Sequence, residues 1–449
     1  MRTLIKNAWI LTINEQKEQV QNGYLLVDGE KIAEVGEMNS LPKDTAYEKC
    51  VDAKGAILLP GMVNTHTHIG MVPFRSLGDD YPDRLHRFLF PLENECMNEQ
   101  LAYTSGRYAI AEMQLAGVTT FFDMYYFEHQ LAIAAEEMHC RAILGETVLD
   151  SITVDVPEPM GGLHYAERFM PKWHGHPRIK ATVAPHAPYS NTIEVLQQAD
   201  RLSQKYNVPW MMHVSEMDFE MNKYREERNQ TPIEFLEEIG VLSPRLVAAH
   251  CIHLSDHDIE LLKKYDVKVA HCIGANTKSA KGVARVRDLL SAGIAVGLGT
   301  DGPSSGNTLD IFSQMRLFAN FHKTYLQDRS AFPAEKIVQL ATMGGAKVLG
   351  LEEQIGSIET GKQADFILVE TDSVNMFPIF DPYSALVYSA NASNVRDVFI
   401  GGKQVVAGKE LVGVQLAELK ADLAEAMEQC GFKSKALKAM EGNEGRGES

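Results

Sequence analysis

The sequence has no Cys-x-x-Cys pair, no run near twenty apolar residues, no excess of basic charge and no low-complexity tract. Each absence removes a class of protein. Its six cysteines, Cys50, Cys96, Cys140, Cys251, Cys272 and Cys430, are scattered through 449 residues, which reads as reduced, mostly buried thiols and not as a disulfide scaffold. Without a long apolar run no segment reads as a membrane span, and the N-terminal Met-Arg-Thr-Leu-Ile-Lys-Asn shows no small-residue cleavage site. The expected location is therefore the cytoplasm. A net charge of −17 argues against nucleic acid or an anionic membrane as partner. The composition, 45% apolar and 23% charged, is that of a soluble globular protein, and the length suggests one large domain with an addition.

Two textures are present. Near the start, Leu4–Ile13, Tyr24–Val27 and Lys31–Val35 are β-rich, with an Asp28-Gly29 hairpin signal between the last two. Residues 355 to 410 look alike, in Gly356-Ser-Ile, Ala364–Glu370 and the run from Val395. Pairing of the two ends into a small β-sandwich is expected, with 1–58 as its first part and 355–412 as its second. Between them, apolar strand-like runs alternate with helical patterns over 59–354. The strands are expected at Ile57–Val63, Val118–Met124, Arg141–Leu149, Ile179–Ala184, Val208–Val214, Leu246–Ala249, Val267–Ala270 and Ile294–Leu298. Eight near-continuous apolar runs with intervening helices such as Thr192–Tyr206 and Asp256–Lys264 fit a (β/α)8 TIM barrel, with a doubly wound open sheet as the alternative. Residues 413–449 read as a C-terminal helix and a tail, the last nine being predicted disordered.

Polar residues gather where the apolar runs stop. His66 and His68 follow the first strand, two residues apart, so in extended backbone both point to one side and can face one metal ion. His186 follows the fourth strand, His213 ends the fifth with Glu216 three residues on, His250 follows the sixth, His271 the seventh and Asp301 the eighth. Barrel enzymes build their sites at this C-terminal rim. So many titratable groups need partners, which they supply to one another only if they share a site.

The motifs Pro60-Gly-Met-Val-Asn-Thr-His-Thr-His, Asp123-Met-Tyr, Pro185-His-Ala-Pro-Tyr-Ser, His213-Val-Ser-Glu, Ala249-His-Cys, Thr300-Asp-Gly and Gly356-Ser-Ile-Glu-Thr-Gly-Lys-Gln-Ala-Asp resemble the amidohydrolase superfamily. Within it, the chain resembles the aminohydrolase branch that includes S-adenosylhomocysteine and 5′-methylthioadenosine deaminases. The resemblance implies one divalent ion held by His66, His68, His213 and Asp301. Three imidazoles and a carboxylate suit Zn²⁺, and Fe²⁺ is compatible. The fourth strand ends in Val-Ala-Pro-His-Ala without the lysine that bridges two metals in some relatives. It further implies catalytic roles for Glu216 as proton carrier, His250 as the group that orients the attacking oxygen and Asp301 as proton acceptor. Glu93 and His186 correspond to substrate contacts, Glu93 to the ribose. The expected function is hydrolytic deamination of an adenine nucleoside-type small molecule. The alternatives are an aminohydrolase or chlorohydrolase of another aminoheterocycle (guanine, pterin or triazine type) and a non-catalytic metal-dependent binding protein.

Two positions depart from the pattern. Glu146 stands where relatives hold the amino-acid carboxylate with an arginine, and an acid there is expected to repel that group. A tryptophan before Glu93 is missing, the segment reading Asp83-Arg-Leu-His-Arg. Arg84, Arg87 and His164 are read as surface residues, and His271 as structural or supporting. Barrel relatives often self-associate, which makes a homo-oligomer an expectation without an interface signature.

Overall fold

The computed structural model describes residues 1–82 and 84–441; Asp83 and the predicted disordered tail from residue 442 lie outside the described residues. Both chain ends pair, in one continuous nine-stranded sheet. Its N-terminal strands are β1 (Arg2–Leu11), β2 (Gln19–Asp28), β3 (Lys31–Glu37), β4 (Lys49–Asp52) and β5 (Ile57–Pro60). Strand β5 pairs antiparallel with the late strand Phe366–Val369, which joins the ends. The Asp28-Gly29 signal does close a hairpin, with Gly29 at φ 61°, a left-handed conformation that costs glycine little. Gly356-Ser-Ile forms no strand; Ile358 is instead buried in the core that the strands of both ends share.

The barrel strands are β6 (Met62–Thr67), β7 (Val118–Tyr125), β8 (Arg141–Val148), β9 (Ile179–Pro185), β10 (Trp210–Val214), β11 (Leu246–His250), β12 (Lys268–His271) and β13 (Val296–Leu298). They form two parallel four-stranded sheets, β6 to β9 and β10 to β13. The ring closes on both sides. His213 N donates to His186 O at 2.9 Å, between β10 and the end of β9, and Asp301 N donates to His66 O at 3.0 Å, just past β13. That closure excludes the open sheet. The eight strands match the expected runs within two residues except at the first. Ile57–Val63 was expected to be one barrel strand, but it is divided at Gly61. A Cβ there would lie 2.1 Å from Thr119 Oγ1, so only glycine lets the chain pass so close to β7 as it leaves one sheet for the other.

Helices such as Ile193–Tyr206, Pro232–Glu238 and Asp256–Lys264 lie between the strands. Thr192, Thr231 and Ser255 cap them, each side-chain oxygen accepting a backbone N–H of the first turn. The C-terminal helix is two helices, Leu416–Gln429 and Phe432–Glu441, separated at Gly431 with φ 67°. Among the described residues no helix is long and apolar enough to cross a membrane. All strands of the barrel are buried, so the polar side chains at their C-terminal ends are forced inward onto one another.

Candidate metal centre and active site

His66 occupies β6 and His68 follows it; the strand's alternation carries both rings to the same side. Their ring centroids lie 4.7 Å apart, and His213 of β10 lies 4.9 Å from His66 and 5.4 Å from His68. One ring nitrogen from each of the three falls within 4.8 Å of the others. Asp301 Oδ1 is 3.2 Å from His68 Nε2 and 3.9 Å from His66 Nε2. Asp301 holds φ 59° and His250 φ 72°, a left-handed conformation that non-glycine residues seldom adopt and that clusters at functional sites.

The surroundings orient the rings for coordination. His68 Nδ1 donates to the Met124 carbonyl at 2.5 Å and His213 Nδ1 to the His186 carbonyl at 2.7 Å. His66 Nδ1 rests 2.9 Å from Met211 Sδ. Each ring therefore keeps Nε2 for the centre, and His66 Nε2 is buried with no hydrogen-bond partner. Such an orphan is costly unless a cation completes it. Burial, with the neighbouring histidines, holds His66 and His213 well below the usual imidazole range, in the neutral form that coordinates a metal. Burial also lowers His68, but Asp301 outweighs it and raises that ring to about 9. Three imidazoles and one carboxylate, with a free nitrogen aimed at their common centre, fit a divalent ion such as Zn²⁺.

The expected catalytic groups adjoin this cluster. His250 stacks on His213 at 5.3 Å, and its Nδ1 lies 2.8 Å from Asn276 Oδ1. Glu216 Oε1 lies 3.6 Å from His250 Nε2 and 2.5 Å from Lys281 Nζ. Burial alone would raise the Glu216 carboxyl, but His250, Lys281 and His213 outweigh it and hold it at about 2. His186 lies 4.8 Å from His213, its Nδ1 3.1 Å from Ser190 Oγ, and burial lowers it to about 4. Glu93 is buried and accepts a 2.7 Å hydrogen bond from the Tyr125 hydroxyl. Burial raises its carboxyl to about 7, against the opposing pull of Tyr125 and His68.

Other sequence readings turn out differently. Arg84 is no surface residue: its side chain is largely buried, donates from Nε to Leu77 O and feels the charge of Asp301. Arg87 packs over Tyr81 and donates to the Ala439 and Met440 carbonyls, and His164 is exposed beside Glu158; neither joins the site. His271 is buried with its Nε2 3.0 Å from His322 Nε2. Glu146 is fully buried among Glu128 and Asp155, and burial with those neighbours raises its carboxyl well above the usual range. Sequence reasoning assigned no role to Lys281, Asn276 or Tyr125, although Tyr125 stands in the Asp123-Met-Tyr motif. The first two sit in an aperiodic stretch, where only the closeness of Asn276, Lys278 and Lys281 to a strand-end histidine was available as a signal.

A closed eight-stranded barrel with three histidines and an aspartate converging at its C-terminal rim defines a metal-dependent hydrolase scaffold. The Amidohydrolase family matches residues 57–405, and the chain belongs to that family. It is 38% identical to the 5-methylthioadenosine/S-adenosylhomocysteine deaminase 1 of Syntrophus aciditrophicus (strain SB), over 91% of this chain and 93% of that protein. It is 37% identical to the 5′-deoxyadenosine deaminase of Methanobrevibacter smithii, over 96% and 99%. Among solved structures, an adenosine deaminase from Xanthomonas campestris with bound zinc superposes with a TM-score of 0.93 at 29% identity, covering 96% of this chain and 98% of that one.

Proposed function

We propose that this protein is a metal-dependent hydrolytic deaminase of adenine nucleosides, acting on a small molecule in the cytoplasm. The observation that carries the reading is the placement of Glu216 and His250 against the His66, His68, His213 and Asp301 cluster. Simple metal retention needs no carboxylate and imidazole beside the ligands; a proton-moving reaction does. The names of the relatives support the substrate class. The free state of all six cysteines supports a reducing compartment.

His66, His68, His213 and Asp301 would hold the ion, which when bound supplies a water of pKa near about 7. Asp301 would accept the proton of the attacking water. His250, fixed through Asn276, orients the oxygen that attacks the ring carbon bearing the amino group. Glu216 carries a proton to the adjacent ring nitrogen, the carbon becomes tetrahedral, and a second proton delivered to the amino group lets ammonia leave. Water is consumed and the C–N bond becomes C=O. Glu93, beside Tyr125, is suited to the sugar hydroxyls, and His186 to the ring or sugar edge. With no arginine at position 146, nothing there holds an amino-acid carboxylate, which favours adenosine, deoxyadenosine or methylthioadenosine over adenosylhomocysteine.

The test is ammonia release by the zinc-loaded protein from those four nucleosides and from guanine, cytosine and aminotriazines. Adenine nucleosides should be turned over, and Glu216→Gln should lose about 10³-fold in kcat while keeping zinc and fold. Turnover of only a non-adenine heterocycle would overturn the substrate class. Zinc binding without turnover of any of them would overturn the enzyme reading.

A further inference from the structure

We infer that Lys281 is a positioning residue for Glu216, fixing which carboxylate oxygen faces the substrate; this rests on the deaminase reading above. Lys281 follows the short helix Ile273–Lys278, between Ala280 at φ 54° and Gly282 at φ 125°. Its backbone N–H donates to Asn276 O at 2.9 Å, closing a tight turn that sends the side chain back toward the barrel axis. There Nζ reaches Glu216 Oε1 at 2.5 Å, with the lysine side chain 20% exposed and the glutamate 12%. The same oxygen faces His250 Nε2. Among the described residues Glu216 Oε2 accepts no hydrogen bond, so it is the oxygen left for a ligand.

An exposed Lys–Glu pair is worth little. This pair is mostly buried and holds the proton carrier by the oxygen that faces His250, so its effect is geometric. A proton carrier must come within about 2.6–3.2 Å of the ring nitrogen, and a carboxylate free to rotate about its last bond would spend most of its time out of reach. Lysine at Oε1 removes that freedom. The arrangement is also economical in chain: Asn276 fixes the His250 ring and Lys281 fixes the Glu216 carboxylate, five residues apart on one segment. That segment sets the relative placement of base, orienting group and substrate.

The test compares zinc-loaded wild type with Lys281→Met and Lys281→Arg, using the best nucleoside of the panel. Lys281→Met should lose about 100-fold in kcat. Its KM should stay within about threefold of wild type, with zinc content and melting midpoint unchanged. Lys281→Arg, which keeps charge and donors, should recover most of the loss. A crystal structure of Lys281→Met should show the Glu216 carboxylate rotated or in two orientations. Should Lys281→Met fail to fold, Lys281→Gln is read in its place, with the same expectations. An active wild type with a variant kcat within about twofold overturns the inference alone. So does a loss of kcat that tracks lost zinc and melting midpoint and is not recovered by arginine. A wild type that releases no ammonia overturns the deaminase reading and the inference with it.

Discussion

Two clusters of buried titratable groups stand side by side at the C-terminal rim of this barrel, and they solve the same electrostatic problem in opposite ways. The first is His66, His68, His213 and Asp301, with His66 Nε2 left unpaired and aimed at the centre. The second is Asp123, Glu128, Glu146 and Asp155, where β7 and β8 end. In it Ile69 N donates to Asp123, Tyr125 N to Glu128, Glu128 N to Glu146 and Phe127 N to Asp155. Burial and mutual repulsion push Glu128 and Glu146 well above the usual carboxylate range, which favours their protonated forms. The neutral imidazoles of His66 and His213 have lone pairs but no positive partner, which calls for a cation. Carboxyls raised in this way can carry protons and donate to one another, and so do not call for a cation. The first has the geometry of a metal site, and the second, buried but for the half-buried Asp155, serves as a scaffold that fixes Ile69, next in the chain to His68.

The largest effect should come from emptying the first cluster. His66→Ala removes the deepest ligand, and kcat should fall by at least about 10³-fold with loss of stoichiometric zinc. Elemental analysis alongside ammonia release checks it, and full activity without metal would erase the distinction between the clusters. In the second cluster, Glu128→Ala strips the acceptor from Tyr125 N and opens a cavity. It should cost about 2–4 kcal/mol by urea denaturation. Zinc should still bind at ambient temperature, and its loss together with the fold would show the two clusters to be one unit.

The smallest effect, and the most diagnostic, belongs to Glu146→Gln. Glutamine imitates a protonated glutamic acid, so near pH 5 the variant should match wild type within about 1 kcal/mol. The raised carboxyl gives the sign at higher pH. Its stabilising protonated state is complete below the unfolded-state pKa, and the contribution is lost as pH rises toward the folded-state value. Glutamine does not titrate, so the variant should gain on wild type as pH rises, by up to about 1.4 kcal/mol per unit. A difference that stays flat from pH 5 to 9 would mean that Glu146 is ionised in the folded protein.

Much of this was legible in the sequence, for identifiable reasons. His66 and His68 could be paired because an extended strand has a strict period of two, and the other rim residues because each follows an apolar run that could only be a buried strand. The division of Ile57–Val63 was hidden, since both halves are equally apolar and Gly61 marks the crossing only once Thr119 is seen against it. Glu146 could not be read from residue type alone, because its pKa is set by neighbours on other elements. Lys281 was out of reach because its role depends on a turn with left-handed residues, which has no periodic signature.

The most direct test of the metal centre is anomalous diffraction at the zinc edge from crystals of the purified protein. The account predicts one strong peak, about 2.0–2.2 Å from a nitrogen of each of His66, His68 and His213 and from a carboxylate oxygen of Asp301. A fully active protein with no peak among those four side chains, or with its peak at the Asp123, Glu128, Glu146 and Asp155 cluster, would contradict it.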